Sequence, residues 1–156
     1  MKRLVLSAIV AAATLAITVP AHAASSTGNF AVDINLTPVC TVTMVGGNIT
    51  FNYTSFQAGA ATGTLSTTFD VQCTKSMAYT LAITGGSGTL ITDSITELQY
   101  TLTLSGTGMT STGATASYSV NGSMAGGQGG SCGTIGGGNC DNNGAANKAK
   151  TVTLTY

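Results

Sequence analysis

Asn29-Phe30-Ala31-Val32-Asp33-Ile34-Asn35-Leu36 places apolar side chains at 30, 32, 34 and 36 and polar ones at 33 and 35. Alternation with a period of two is the pattern of a β-strand with one buried face. The stretch stands just behind an export-type leader and just ahead of Cys40. A strand this apolar at the start of an exported chain is expected to bury its face in something other than its own domain.

The leader is legible in Lys2-Arg3, an apolar run from Leu4 to Val19, Pro20, and the small residues of Ala21-His22-Ala23. These are the parts of a cleavable signal peptide over residues 1–23, and the run is short for a membrane span. The remaining 133 residues are the size of one domain. They hold Lys75, Lys148 and Lys150 against Asp33, Asp70, Asp93, Glu97 and Asp141, a formal charge of −2, with no Arg, His or Trp.

That inventory excludes several chemistries. Three scattered lysines cannot neutralise a nucleic-acid backbone, so no nucleic-acid partner is expected. Without histidine there is no imidazole base, no serine or cysteine triad and no imidazole metal ligand. Asp93 and Glu97, four residues apart, read as solvated charges rather than a carboxylate pair. The expectation is a non-enzyme with no cofactor and no metal. Only 6% of the chain is charged, far below the roughly 25–35% typical of a designed soluble surface. Such a surface suits a protein whose faces are covered by neighbours.

Cys40, Cys73, Cys132 and Cys140 in an exported chain predict two disulfides. Of the three pairings, Cys40–Cys73 with Cys132–Cys140 is preferred. The late pair closes locally within one Gly-rich stretch, and the early pair would tie the first strand of the domain to a later one. A zinc cluster is disfavoured because no CxxC spacing occurs.

Alternation recurs along the rest of the chain: Cys40-Val42-Met44, Ile49-Phe51-Tyr53, Leu65 to Cys73, Met77 to Ile83, Leu98 to Leu104, Ala116-Tyr118-Val120 and Val152-Leu154-Tyr156. Turn signals at Gly46-Gly47-Asn48, Gly85 to Gly88, Gly106-Thr107-Gly108 and Asn121-Gly122 separate these runs. No segment after residue 24 carries a helical stripe, so the chain reads as an all-β sandwich. Residues 122–144 contain 10 glycines in 23 residues and read as a flexible loop pinned by Cys132–Cys140. They lack the Lys-Ser/Thr of a phosphate loop, and Asp141-Asn142-Asn143-Gly144 offers one carboxylate where a calcium loop needs several.

The run Val32-Asp33-Ile34-Asn35-Leu36-Thr37-Pro38-Val39-Cys40-Thr41-Val42 resembles the mature start of archaic chaperone–usher pilins and the spore coat protein U domain group. Phe69-Asp70-Val71-Gln72-Cys73, Tyr79-Thr80-Leu81, Leu98-Gln99-Tyr100-Thr101-Leu102 and the closing Thr151-Val152-Thr153-Leu154-Thr155-Tyr156 are similar in the same order. Two departures stand out. Asn147-Lys148-Ala149-Lys150 replaces the family's Gly-x-Tyr-x-Asp element, and the glycine-rich stretch with Cys132 and Cys140 looks like an insertion.

The resemblance implies an immunoglobulin-like β-sandwich that lacks one strand and is completed by a donor strand from the neighbouring subunit. Residues 24–37 would be the donor extension, with Phe30, Val32, Ile34 and Leu36 as its plugs, and residues 38–156 the pilin domain. Val152, Leu154 and Tyr156 of the last strand would line the groove used by chaperone and donor. The implied partners are identical or related subunits, a periplasmic chaperone and an outer-membrane usher. The implied product is a cell-surface pilus for adhesion or biofilm formation. Two other readings stay open: a self-contained exported coat or matrix sandwich, with residues 29–36 folded onto their own domain, and a tip adhesin module.

Overall fold

The computed structural model describes residues 24–133 and 140–156, so the expected signal peptide (1–23) and the centre of the Cys132–Cys140 loop lie outside the described residues. The described residues are all-β, with eight strands: β1 (Cys40–Met44), β2 (Ser66–Cys73), β3 (Ala78–Ile83), β4 (Leu90–Thr92), β5 (Gln99–Leu104), β6 (Gly108–Thr110), β7 (Ala116–Ser123) and β8 (Val152–Thr155). They form a five-stranded sheet ordered β1-β2-β7-β5-β4 and a three-stranded sheet ordered β6-β3-β8. Every pairing is antiparallel. The chain separates into two units at Asn35/Leu36, and both sheets belong to the second.

The alternating runs become strands because one face of each sheet meets the other. On β2, Phe69, Val71 and Cys73 point inward, and Phe69 and Val71 are fully buried. Tyr79, Leu81 and Ile83 of β3, Tyr100, Leu102 and Leu104 of β5, and Tyr118 and Val120 of β7 complete the core. Each such side chain contributes roughly 1.5–3 kcal/mol when fully buried. Phe69 stacks on Tyr118 at 5.6 Å between ring centres, and Phe51 tilts against Tyr100 at 5.5 Å. The Tyr79 and Tyr118 hydroxyls meet at 2.7 Å inside this layer, which satisfies two groups that would otherwise be buried unpaired. Thr67 is the exception: its buried Oγ1 has no partner among the described residues.

Three sequence expectations are corrected. Asn121-Gly122 is not a turn but lies inside β7, the longest strand together with β2. Gly122 donates its N–H to Leu65 O at 2.6 Å, and a Cβ there would come within 2.7 Å of the Phe51 ring. Glycine at this position therefore makes room for a ring rather than a reversal. Gly108 opens β6 instead of closing a turn, pressed against the Tyr79 carbonyl. Ile49, Phe51 and Tyr53 do pack on the core, but the run forms no strand and is held by the isolated Asn52–Thr62 bridge and by Thr50 N donating to Thr64 O at 2.8 Å.

Both expected disulfides form. Cys40 and Cys73 are directly opposite in the β1–β2 ladder, with Cα atoms 4.0 Å apart. They pin the edge strand of the larger sheet. Two disulfides fit an oxidising compartment outside the cytosol.

Losing the first bridge, which spans 33 residues, removes about 3–4 kcal/mol by freeing the unfolded chain. Cys40→Ser is expected to prevent stable folding, whereas Cys132→Ser, opening an eight-residue loop, is milder. Urea unfolding of the two variants ranks them, and the opposite order would refute this account.

Alkali tests the tyrosine pair. Burial, then the hydrogen bond and charge proximity of Tyr79, push the Tyr118 hydroxyl from 10.0 up to about 12. The folded state thus holds a proton that the unfolded chain releases. Stability is complete below pH 10.0 and falls as pH rises through the window to about 12. Tyr118→Phe should cost stability at neutral pH yet flatten the decline across that window, as read by thermal melts at a series of pH values.

Candidate functional site

The two sheets do not close on each other everywhere. β1 ends the five-stranded sheet, β8 ends the three-stranded sheet, and the two edge strands lie beside one another without hydrogen-bond pairing. Along this seam the N–H and C=O groups on the free side of each strand have no ladder partner, which is the usual template for an added strand. The core is thin at the same place. Cys40 and Val42 of β1 and Val152 and Leu154 of β8 point inward but remain half-buried, while their counterparts on β2 and β3 are buried. Of the three expected groove residues, Val152 and Leu154 face the seam's interior. Tyr156 lies beyond the end of β8 and is exposed.

β1 is the firmer wall. Five residues pair with β2 and the disulfide fixes its first position. Val39 extends the same ladder, taking a hydrogen bond from Thr74 N at 2.9 Å and donating to Thr74 Oγ1 at 3.0 Å. β8 is held by four residues against β3 and has no second neighbour.

The expected donor plugs are the converse of this seam. Residues 24–39 form no strand, and Phe30, Val32, Ile34 and Leu36 are 86%, 70%, 85% and 74% exposed. Four large apolar side chains at alternate positions and open to water are a surface that single scattered exposures do not explain. The structure therefore holds a half-buried apolar seam between two edge strands and an alternating apolar segment exposed to water.

Asp93 corrects the sequence reading of it as a solvated charge: it is only 3% exposed. Its Oδ1 accepts hydrogen bonds from Ile95 N, Thr96 N and Thr96 Oγ1, and its Oδ2 accepts one from Asn142 Nδ2 at 3.0 Å. Burial alone would raise its pKa, but these bonds outweigh it and hold the carboxyl below its ordinary value. Asn147 adds a second clamp, donating to Thr92 O at 2.7 Å and accepting from Ser94 N and Oγ.

The glycine-rich stretch is accordingly less loose than expected. Met124 is buried, Gly126 packs on the Ala58 and Gly59 carbonyls, and residues 142–147 are fastened to the β4–β5 turn. None of these partners was legible, because Asn142 and Asn147 sit in a low-complexity run about 50 residues away from Asp93. Glu97 is exposed; its N–H donates to Asp93 O at 3.0 Å, but its carboxylate takes no part in this network, so the two carboxylates form no pair.

A shallow polar cleft lined by Thr41, Thr43, Asp70, Gln72 and Thr115 lies on the outward face of the larger sheet, where Ser117 Oγ donates to Asp70 at 2.6 Å. Among the described residues, no three His, Cys, Asp or Glu side chains converge to hold a metal. Comparisons with protein-family models, curated proteins and solved structures find no match.

The half-burial of the seam has a measurable consequence. Leu102→Ala, in the closed part of the core, should cost about 2–5 kcal/mol. Leu154→Ala should cost clearly less in the unfilled protein, as chemical denaturation would show. Equal costs would mean that the seam is already covered.

Proposed function

We propose that this chain is a structural subunit of a chaperone–usher-type surface pilus, polymerising by donating its N-terminal strand to the open seam of the next copy. The carrying observation is the pairing of opposites: an unpaired β1/β8 seam and an N-terminal segment whose alternating apolar side chains at 30, 32, 34 and 36 are exposed. The motif order that resembles archaic pilins supports the same reading.

Insertion satisfies both defects at once. A strand beside β8 completes the ladder on its free edge, and every second side chain enters the half-filled core. Each plug contributes roughly 1.5–3 kcal/mol on full burial, set against an ordering cost of about 1–2 kcal/mol per residue. The backbone ladder supplies the remainder. Donor and acceptor are different surfaces, so the contact is heterologous and propagates into a fibre. Before assembly a chaperone would cover the seam, and an outer-membrane usher would be the place of exchange. The fibre serves adhesion or biofilm formation and involves no catalysis.

The register tests the reading. A shift by one residue turns every plug to the wrong face. Ile34→Asn should block or greatly slow fibre formation, while Asn35→Ser, on the opposite face, should be nearly silent. Removing residues 24–36 should leave subunits that never polymerise. Heat-dissociable ladders on gels report all three. Fibres from the truncated protein, or equal tolerance at 34 and 35, would end the donor assignment.

A further inference from the structure

The loop at one end of the sandwich holds its most exposed aromatic residue in a costly conformation. Phe56 is 78% exposed and adopts φ +63°. It is the third residue of a Thr54–Gln57 turn closed by Gln57 N donating to Thr54 O at 3.0 Å. That position usually takes glycine, and a bulky side chain there is strained. The strain persists because the loop is over-determined. Phe56 N donates to Gln128 O at 2.8 Å, Ser55 Oγ donates to Gly129 O at 2.7 Å, and Gln128 N donates to Tyr53 Oη at 2.6 Å. Gln128 in turn bonds the backbone of Gln99 at both N and O. The ring lies against Gly129, where a Cβ would come within 3.1 Å of it. A rigid aromatic held out in water at a local cost is preorganised for contact.

We infer that Phe56 docks on a second copy of this chain, against the apolar end of the donor subunit around Val39. The inference rests on the donor-strand reading and adds to it a contact outside the seam.

The strand directions place the two surfaces together. β8 runs from Val152, opposite Ile83, to Thr155, opposite Thr80. Its Thr155 end lies on the same side as Val39, Thr74 and the start of β3, and its Val152 end on the side of the Phe56 loop, Gln99 and Ser123. All pairings in both sheets are antiparallel. A donor strand that follows this rule beside β8 brings its Leu36 out at the Phe56 end. Only Thr37-Pro38-Val39 then separates the last plug from Cys40 of the donor copy. Three extended residues reach at most about 11 Å, and Pro38 fixes its own φ and holds Thr37 extended. The Val39 end of the donor copy is thereby brought over the acceptor's Phe56 loop. That end exposes Val39, Met109 and Tyr156, apolar surface suited to an aromatic side chain.

Fibres of the full chain test this directly. Val39→Cys with Phe56→Cys, treated with a short bis-maleimide, should give covalent ladders that survive boiling in denaturant. Val39→Cys with Thr103→Cys, which sits on the outward sheet face, should not. In the second arm, Phe56→Gly relieves the strained φ, so a purely local role predicts fibres that are equally or more heat-resistant. The contact with a second copy predicts fibres that dissociate at a lower temperature. Fibres that form normally, do not cross-link between 39 and 56 and keep their dissociation temperature on Phe56→Gly would overturn the inference and leave donor-strand assembly standing. If the unaltered protein forms no fibres, both fall.

Discussion

Two edge strands that face each other without a strand between them are the constraint from which the rest follows. An edge strand leaves a row of backbone donors and acceptors unpaired, and proteins ordinarily blunt such edges with charge, proline, bulges or a covering element. β1 and β8 carry none of these: their residues are Cys, Thr, Val, Met and Leu. The inward side chains Val42, Val152 and Leu154 are left half-buried beneath the gap. An unprotected edge over half-buried apolar side chains is the kind of surface to which a strand with apolar residues at alternate positions can add.

The walls of the gap are unequal. Val39 and Cys40 are tied to β2 by backbone bonds and a disulfide, so β1 presents a fixed edge whether or not the gap is filled. β8 depends on four residues of pairing with β3. It stands to gain most from a second neighbour, since a strand paired on one side only contributes little by itself. The segment before β8 is fastened elsewhere, by Asn142 on Asp93 and Asn147 on Thr92 and Ser94. Those clamps fix where β8 begins while leaving its outer edge free.

Much of this was legible wherever burial is periodic. The runs 65–73, 77–83 and 98–104 became β2, β3 and β5 with the expected residues inside, because alternation records which face is buried. Both disulfides were legible from spacing and context. β4 and β6 were not: they are three residues long, and their Leu90 and Met109 are exposed, so no alternation marks them. Asn121-Gly122 misled because the pair is a turn signal in isolation, and only the Phe51 ring across from Gly122 gives the glycine another purpose. Asp93 misled for a related reason. Three of its four hydrogen bonds come from the neighbouring Ile95 and Thr96, but the residue that closes over its other oxygen, Asn142, is remote in sequence, and nothing in the sequence joins the two. At the candidate site, the alternation at 30, 32, 34 and 36 and the inward residues of the last strand were visible as patterns, whereas the gap between β1 and β8 is a property of sheet order.

The connection between the plugs and β1 argues against the chain filling its own gap. A strand antiparallel to β8 would run parallel to β1, and parallel neighbours need a crossover of a dozen or more residues. Only Thr37, Pro38 and Val39 are present. The opposite direction would need a hairpin into β1. Val39 is already engaged in the β1–β2 ladder through Thr74, which leaves Thr37-Pro38 as a two-residue loop. Two-residue hairpins favour turns with positive φ at the first or both central positions. Proline is locked near −65° and holds the residue before it extended. Neither route is open to a strand joined so closely to its own sandwich. The same short tether imposes no such limit when the gap belongs to another copy.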